Sequence, residues 1–100
     1  MDRQRNALKK SLKVISESSL RQLCSVAMLT ETETAILAGS YSRLQDERFI
    51  ADNLCMSVGG LQKKKRLALQ KILFTLGIYN PSIYVSEDEI VSKLGIMLTQ

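Results

Sequence analysis

The chain has 100 residues, 45% of them hydrophobic, which suits one folded domain with a single core and argues against disorder. Abundant Leu, Lys, Glu and Ala with one Pro and no Trp favour an all-α fold. The net charge of +4 is unevenly spread, because residues 62–71 carry five cations and no anion while residues 3–13 carry five more cations. Such a layout is typical of nucleic-acid binding.

Several classes of protein are excluded by what the sequence lacks. It has no His and no Cys-x-x-Cys pair around Cys24 or Cys55, so we predict neither a metal site nor a cofactor. Without a phosphate loop or a nucleophile beside a base, an enzyme is not expected. The charged N-terminus is no signal peptide and no apolar run is long enough for a membrane span, so we expect a cytoplasmic protein without membrane contact.

Residues 1–28 read as an amphipathic helical arm. Leu8, Leu12 and Ile15 follow the i, i+4, i+7 spacing of one helix face. Residues 16–19 interrupt that period with poor helix formers, and it resumes at Leu20, either as a second helix or as the same helix bent. The apolar face predicts that the arm packs on the rest of the chain or pairs with a second copy.

Residues 29–100 read as a separate domain of three to four helices. Thr30 with Glu33 makes a capping box, Asp46 is a candidate N-cap for a short helix, and Ser57 is an N-cap for a longer one. Gly77 is a natural stop for that longer helix. The spacing of the Asp46 and Ser57 caps fits a helix-turn-helix unit.

A last helix is predicted near the C-terminus. Ser86 and Glu89 form a second capping box, after a short apolar stretch at residues 83–85. An apolar face follows, formed by Ile90, Val91, Leu94 and Leu98.

The residues from 29 to 77 resemble the LuxR-type (GerE-like) helix-turn-helix domain and the related fourth region of sigma factors, within the winged-helix-like superfamily. The resemblance is carried by the ordered set Leu29-Thr30-Glu31-Thr32-Glu33, Ile36-Leu37, Ile50-Ala51-Asp52-Asn53-Leu54-Cys55-Met56-Ser57-Val58, Leu61-Gln62 and Ala68-Leu69-Gln70-Lys71-Ile72. Gly59-Gly60 departs from it, standing where the family usually has a polar residue and then Thr. Two glycines remove side-chain contacts but let the backbone approach phosphate or base edges closely.

The resemblance implies a bacterial-type regulator whose helix at 57–72 enters the major groove of double-stranded DNA. Val58, Gln62, Lys63 and Arg66 would face the groove, with Gln62 reading adenine and Lys63 or Arg66 reading guanine. Lys64, Lys65 and Lys71 would touch phosphate. The remaining expected DNA contacts are Thr30, Thr32, Ser57 and Gly59.

One such unit makes few contacts, so a homodimer is expected. The candidate dimer contacts are the apolar faces of the arm and of the last helix, namely Leu8, Leu12 and Ile15, and separately Ile90, Val91, Leu94 and Leu98. The sequence therefore predicts a DNA-binding transcriptional regulator. The alternative is a helix-turn-helix scaffold that binds RNA polymerase or another regulator without reading DNA.

Overall fold

The computed structural model describes residues 3–77 together with Ser92, Lys93 and Gly95. Within this part of the chain the prediction of an all-α fold is confirmed, with helices and no strand. The helices are α1 (Arg3–Val14), α2 (Glu17–Val26), α3 (Glu31–Leu37), α4 (Glu47–Asn53) and α5 (Val58–Thr75). A π-helical turn, Ala38–Ser42, continues α3 without a break.

The N-terminal arm consists of two helices. Ser16 is the N-cap of α2, with extended backbone and a hydroxyl that accepts a hydrogen bond from the Ser19 amide at 3.1 Å. A cap satisfies an amide that has no partner inside the helix, so the polar interruption starts a new helix here. The sequence left open whether residues after Ser16 form a new helix or continue a bent first helix, and the new helix is correct.

The predicted caps of α3 and α5 are confirmed, and that of α4 only in position. At the start of α3, Thr30 Oγ1 accepts from the Glu33 amide (3.1 Å) while Glu33 Oε1 accepts from the Thr30 amide (2.9 Å). At the start of α5, Ser57 Oγ accepts from the Gly60 amide at 3.0 Å. Asp46 occupies the N-cap position of α4, but its side chain makes no capping hydrogen bond.

The turn between α4 and α5 depends on a residue with left-handed backbone. Cys55 has φ of 56°, and the amides of Cys55 and Met56 donate to the carbonyls of Asp52 and Ala51. This conformation is uncommon for a residue with a side chain, and it lets the chain leave α4 sharply. Gly77, with φ of +72°, ends α5 as predicted.

The larger of the two hydrophobic clusters among the described residues joins the arm to α5. Leu8, Leu12, Leu20 and Leu23 are fully buried and pack in one cluster with the second half of α5, from Ala68 to Leu73, and with its C-cap Leu76. The arm therefore packs on the rest of its own chain.

The burial of α1 bears directly on the candidate dimer contacts. Leu8 and Leu12 lie inside the chain at 0% exposure and cannot meet a second copy, while Ile15 is partly buried against the same core. The other predicted contacts, Ile90, Val91, Leu94 and Leu98, lie outside the described residues, as do Ser86, Glu89 and the stretch at 83–85.

The smaller cluster positions the first half of α5. Ile36 of α3, Ile50 and Ala51 of α4, and Leu61 of α5 are buried together, with Val58 packed against them. Ala51 is 1% exposed at the place where α4 meets its neighbours, as a small residue on a close helix pair should be. Because α3, α4 and α5 share this cluster, the direction in which α5 presents its opposite face is fixed.

Candidate nucleic-acid interface

The first half of α5 presents a basic face to solvent. Leu61, Ala68 and Leu69 turn toward the two clusters. Residues between them rotate by about 100° each, so the opposite side of the helix points outward. We use the name basic face for the exposed polar side chains of this side, which are Gln62, Lys63, Lys64 and Arg66.

Lys65 does not belong to the basic face, although the sequence placed it among the phosphate contacts. Its side chain is only 18% exposed, and its Nζ lies 3.4 Å from Glu47 Oε1. The same Nζ lies 5.0 Å from the ring centroid of Tyr41, a distance typical of a cation–π contact. Burial and the charge of Glu47 together raise the pKa of Tyr41. Lys65 therefore links α5 to the elements beneath it.

Gln62 is exposed but already engaged within the chain. Its Nε2 donates to Glu47 Oε2 at 3.0 Å. This hydrogen bond is the main reason that the pKa of Glu47 is lowered, and the charges of Lys65 and Lys9 contribute in the same direction against the effect of burial. The bidentate contact with adenine needs both atoms of the amide, so Gln62 would have to release Glu47 to make it.

Lys71 is also paired with a carboxylate instead of standing free for phosphate. Its Nζ lies 2.8 Å from Glu33 Oε1, and the Glu33 side chain is only 7% exposed. Glu33 is the capping-box residue of α3, so one carboxylate caps α3 and ties it to α5. Burial raises the pKa of Glu33, but the hydrogen bonds from Lys71 and from the Thr30 amide outweigh it and the net pKa is lowered.

The other predicted DNA contacts are at the starts of helices. The hydroxyls of Thr30 and Ser57 lie near the surface but accept the capping hydrogen bonds. Thr32 is half-buried, and Val58 packs against the smaller cluster instead of pointing outward. The predicted set is thus divided between exposed side chains and side chains with structural contacts.

The two glycines at the start of α5 have different surroundings. A Cβ at Gly59 would meet nothing within 4 Å, so the backbone there is open to a ligand. A Cβ at Gly60 would lie 3.1 Å from Ser57 Oγ, the capping oxygen. Gly60 thus leaves room for the cap, and Gly59 is the position at which a phosphate or base edge could approach closely.

A basic cleft lies beside the basic face, between α1, α4 and α5. It measures about 440 Å³ and is lined by Arg5, Lys9, Glu47, Gln62, Lys65, Arg66 and Leu69. The sequence showed cations at residues 3–13 but did not assign them to a site. The available signal was the spacing of Arg5 and Lys9, because residues four apart share one face of a helix.

An exposed apolar surface lies along the second half of α5. Phe74 is 75% and Met28 85% exposed, and with half-exposed Val26 and Leu67 they line a groove of about 460 Å³. The missed signal was the seven-residue spacing of Leu67 and Phe74, which places both on one side of a helix.

No family model, no curated protein and no solved structure matches the chain. Among the described residues no helix is long and apolar enough to cross a membrane. The same residues include no cluster of His, Cys, Asp and Glu that could hold a metal ion. Both cysteines are free, Cys24 buried and Cys55 exposed, and burial raises the pKa of Cys24.

Proposed function

We propose that the protein is a cytoplasmic, sequence-specific DNA-binding regulator of transcription that inserts the start of α5 into the major groove. One observation carries this proposal. A short helix, a tight turn and a capped second helix share a cluster that directs Lys63, Lys64 and Arg66 outward, with no acidic residue among them. That arrangement is the one by which helix-turn-helix domains present a recognition helix.

The contacts available in this geometry favour guanine and phosphate. Lys63 and Arg66 are exposed and carry donors suited to the O6 and N7 atoms of guanine. Lys64 is exposed on the neighbouring side, where it would meet the backbone. Gly59 would let the start of α5 approach the DNA closely. Lys65 and Lys71 hold α5 in place through Glu47 and Glu33.

A single unit of this size makes few base contacts, so we propose that it binds as a homodimer on two half-sites. Leu8 and Leu12 are excluded from the dimer contact by their burial. The exposed apolar surface around Phe74 is the candidate that the described residues offer. Sedimentation of the purified protein would give its mass in solution, and the number of copies in that mass must agree with the number and spacing of half-sites in the selected DNA.

The test begins with selection of bound duplexes from a random library by the purified full chain. On the selected duplex, Lys63→Ala with Arg66→Ala should weaken binding and lower the slope of log affinity against log salt by about one to two units. The matched control is Lys10→Ala with Lys13→Ala, which removes two exposed cations from α1. If Lys63→Ala with Arg66→Ala leaves the affinity and the salt slope unchanged, α5 is not the recognition helix.

The second candidate function is a protein-interaction module that binds RNA polymerase or another regulator. The exposed apolar surface favours it, because large apolar side chains grouped at the surface mark interaction sites. Leu67→Ser with Phe74→Ser should then abolish a complex that is insensitive to salt, while Val14→Ser, at a residue that is 81% exposed on α1, should not. Selective duplex binding by the unmodified chain, with no salt-insensitive complex with a protein, would favour the DNA-binding function.

A further inference from the structure

The basic cleft is assembled from helices that are far apart in sequence. Arg5 and Lys9 come from α1, Glu47 from α4, and Lys65 and Arg66 from α5. The described residues thus give the cleft four cationic side chains and one carboxylate. It adjoins the basic face, since Gln62 and Arg66 belong to both.

The carboxylate of Glu47 has hydrogen-bonding partners within the cleft. Glu47 accepts from Gln62 Nε2 at 3.0 Å and lies 3.4 Å from Lys65 Nζ. Lys65 and Glu47 therefore offset each other's charge. Among the described residues of the lining, cations outnumber carboxylates by four to one, a balance that favours an anionic ligand.

The position of these cations is fixed by the core. Leu8 and Leu12 are fully buried and hold α1 against the rest of the chain, and Arg5 and Lys9 lie one turn apart on the side that meets the cleft. Leu69, 1% exposed, belongs to the same core and also borders the cleft. Because the helices that carry these cations are packed on the core, their backbones need no rearrangement to receive an anion, which favours binding.

We propose that the basic cleft binds a phosphate group, and that α1 thereby makes a second contact with DNA through a backbone phosphate next to the groove that α5 enters. Arg presents a planar fork of donors and Lys a compact charge, a combination suited to phosphate oxygens. The DNA part of this inference rests on the proposed function. It assigns to Arg5 and Lys9 a role in anchoring the strand instead of reading bases.

The test compares two variants of the full chain that each lose two positive charges from α1. Arg5→Gln with Lys9→Gln changes the cleft, while Lys10→Gln with Lys13→Gln changes exposed side chains of the same helix outside it. Lys63 and Arg66 remain intact in both, so reading by α5 is untouched. Far-ultraviolet circular dichroism would check that each variant is folded.

In the first arm, affinity for the selected duplex is measured by fluorescence anisotropy over a range of salt concentrations. We expect the cleft variant to bind roughly tenfold more weakly near physiological salt, with a salt slope lower by about one to two units and the same sequence preference. The control variant should keep the slope of the unmodified protein to within about half a unit. Equal losses in the two variants, or no loss in either, would overturn the DNA contact.

In the second arm, the ligand is inorganic phosphate. Its binding is detected from the thermal unfolding temperature, which is compared with that in chloride and in sulfate at the same ionic strength. A ligand that binds only the native state raises the unfolding temperature. A rise that is specific to phosphate and missing in the cleft variant, without a difference in duplex binding, would support a site for free phosphate. No cleft-dependent effect in either arm would refute the proposal.

The two arms separate this inference from the proposed function. If the unmodified chain binds no duplex, the proposed function fails, and the phosphate arm alone then decides whether the cleft is an anion site. If the duplex is bound and only Lys63→Ala with Arg66→Ala weakens binding, the proposed function stands and the cleft contact is refuted.

Discussion

Replacing Lys71 by Gln distinguishes a structural ion pair from a phosphate contact. Lys71 Nζ lies 2.8 Å from Glu33 Oε1, and the Glu33 side chain is 7% exposed while that of Lys71 is 46% exposed. The substitution removes the cation and leaves the hydrogen bond from the Thr30 amide to Glu33 Oε1, at 2.9 Å. We therefore expect Lys71→Gln to destabilise the fold without altering the salt dependence of DNA binding.

The size of the effect follows from the unequal exposure of the two partners. Breaking a fully buried ion pair costs about 3–5 kcal/mol, and a hydrogen bond to a charged group contributes about 1.5–3 kcal/mol. Water reaches the half-exposed ammonium and can replace part of the lost contact, so we expect a loss of about 1–2 kcal/mol. For a domain of this size that lowers the midpoint of thermal unfolding by roughly 4–15 °C.

The effect should also depend on pH. The pKa of Glu33 in the folded chain lies below its ordinary value of 4.5, because the hydrogen bonds from Lys71 and the Thr30 amide outweigh burial. A carboxyl with a lowered pKa adds stability that is fully present above the unfolded value and is lost as pH falls through the folded value. The difference between the unmodified protein and Lys71→Gln should thus be largest near neutral pH and shrink below pH 4.5.

Urea unfolding of a double-mutant cycle with Glu33→Gln gives the coupling energy between Lys71 and Glu33. The salt slope of binding to the selected duplex tests whether Lys71 contacts phosphate. Lys64→Gln is the matched control, since Lys64 is exposed. This substitution should lower the salt slope by about one unit and leave the stability unchanged. The reasoning is refuted if Lys71→Gln behaves in the same way as Lys64→Gln. A coupling energy below about 0.3 kcal/mol would also contradict it.

Two further substitution pairs test the packing. Leu12→Ala, at a fully buried residue, should lower the free energy of unfolding in urea by about 2–5 kcal/mol. Val14→Ala, at a residue that is 81% exposed, should lower it by less than about 0.5 kcal/mol. Similar losses in the two variants would mean that α1 is not part of the core. Gly59→Ala, with open space around its Cβ, should raise the thermal midpoint through a gain of about 0.5–1 kcal/mol. Gly39→Ala should lower that midpoint, because its Cβ would lie 3.0 Å from Ile50 Cδ1, and shifts of the same sign would contradict this account.

Local sequence determined most of the helix boundaries. The Thr30 and Ser57 caps and the Gly77 stop all stand where the residues predicted them. Such signals act over three or four positions, so they can be read without knowledge of the fold. Asp46 marks the limit of that approach, because its position at the start of α4 was right although its side chain caps nothing.

Tertiary structure decided which cations of α5 are available to a ligand. Lys63, Lys64 and Lys65 are adjacent in sequence, yet only the third is drawn inward, by Glu47 of α4 and the ring of Tyr41. Lys71 is likewise engaged by a carboxylate 38 residues away. A charge run shows where positive charge is concentrated, but the partner of each charge depends on which helices pack together.

The same distinction applies to the arm and to the basic cleft. The sequence determined that α1 has one apolar face carrying Leu8 and Leu12, and four-residue spacing placed Arg5 and Lys9 together. It left open whether that face would meet a second copy or the same chain. Only the packing of α1 against α5 buried the leucines and brought the two cations beside Arg66, because contacts between distant segments depend on the shape of the whole core.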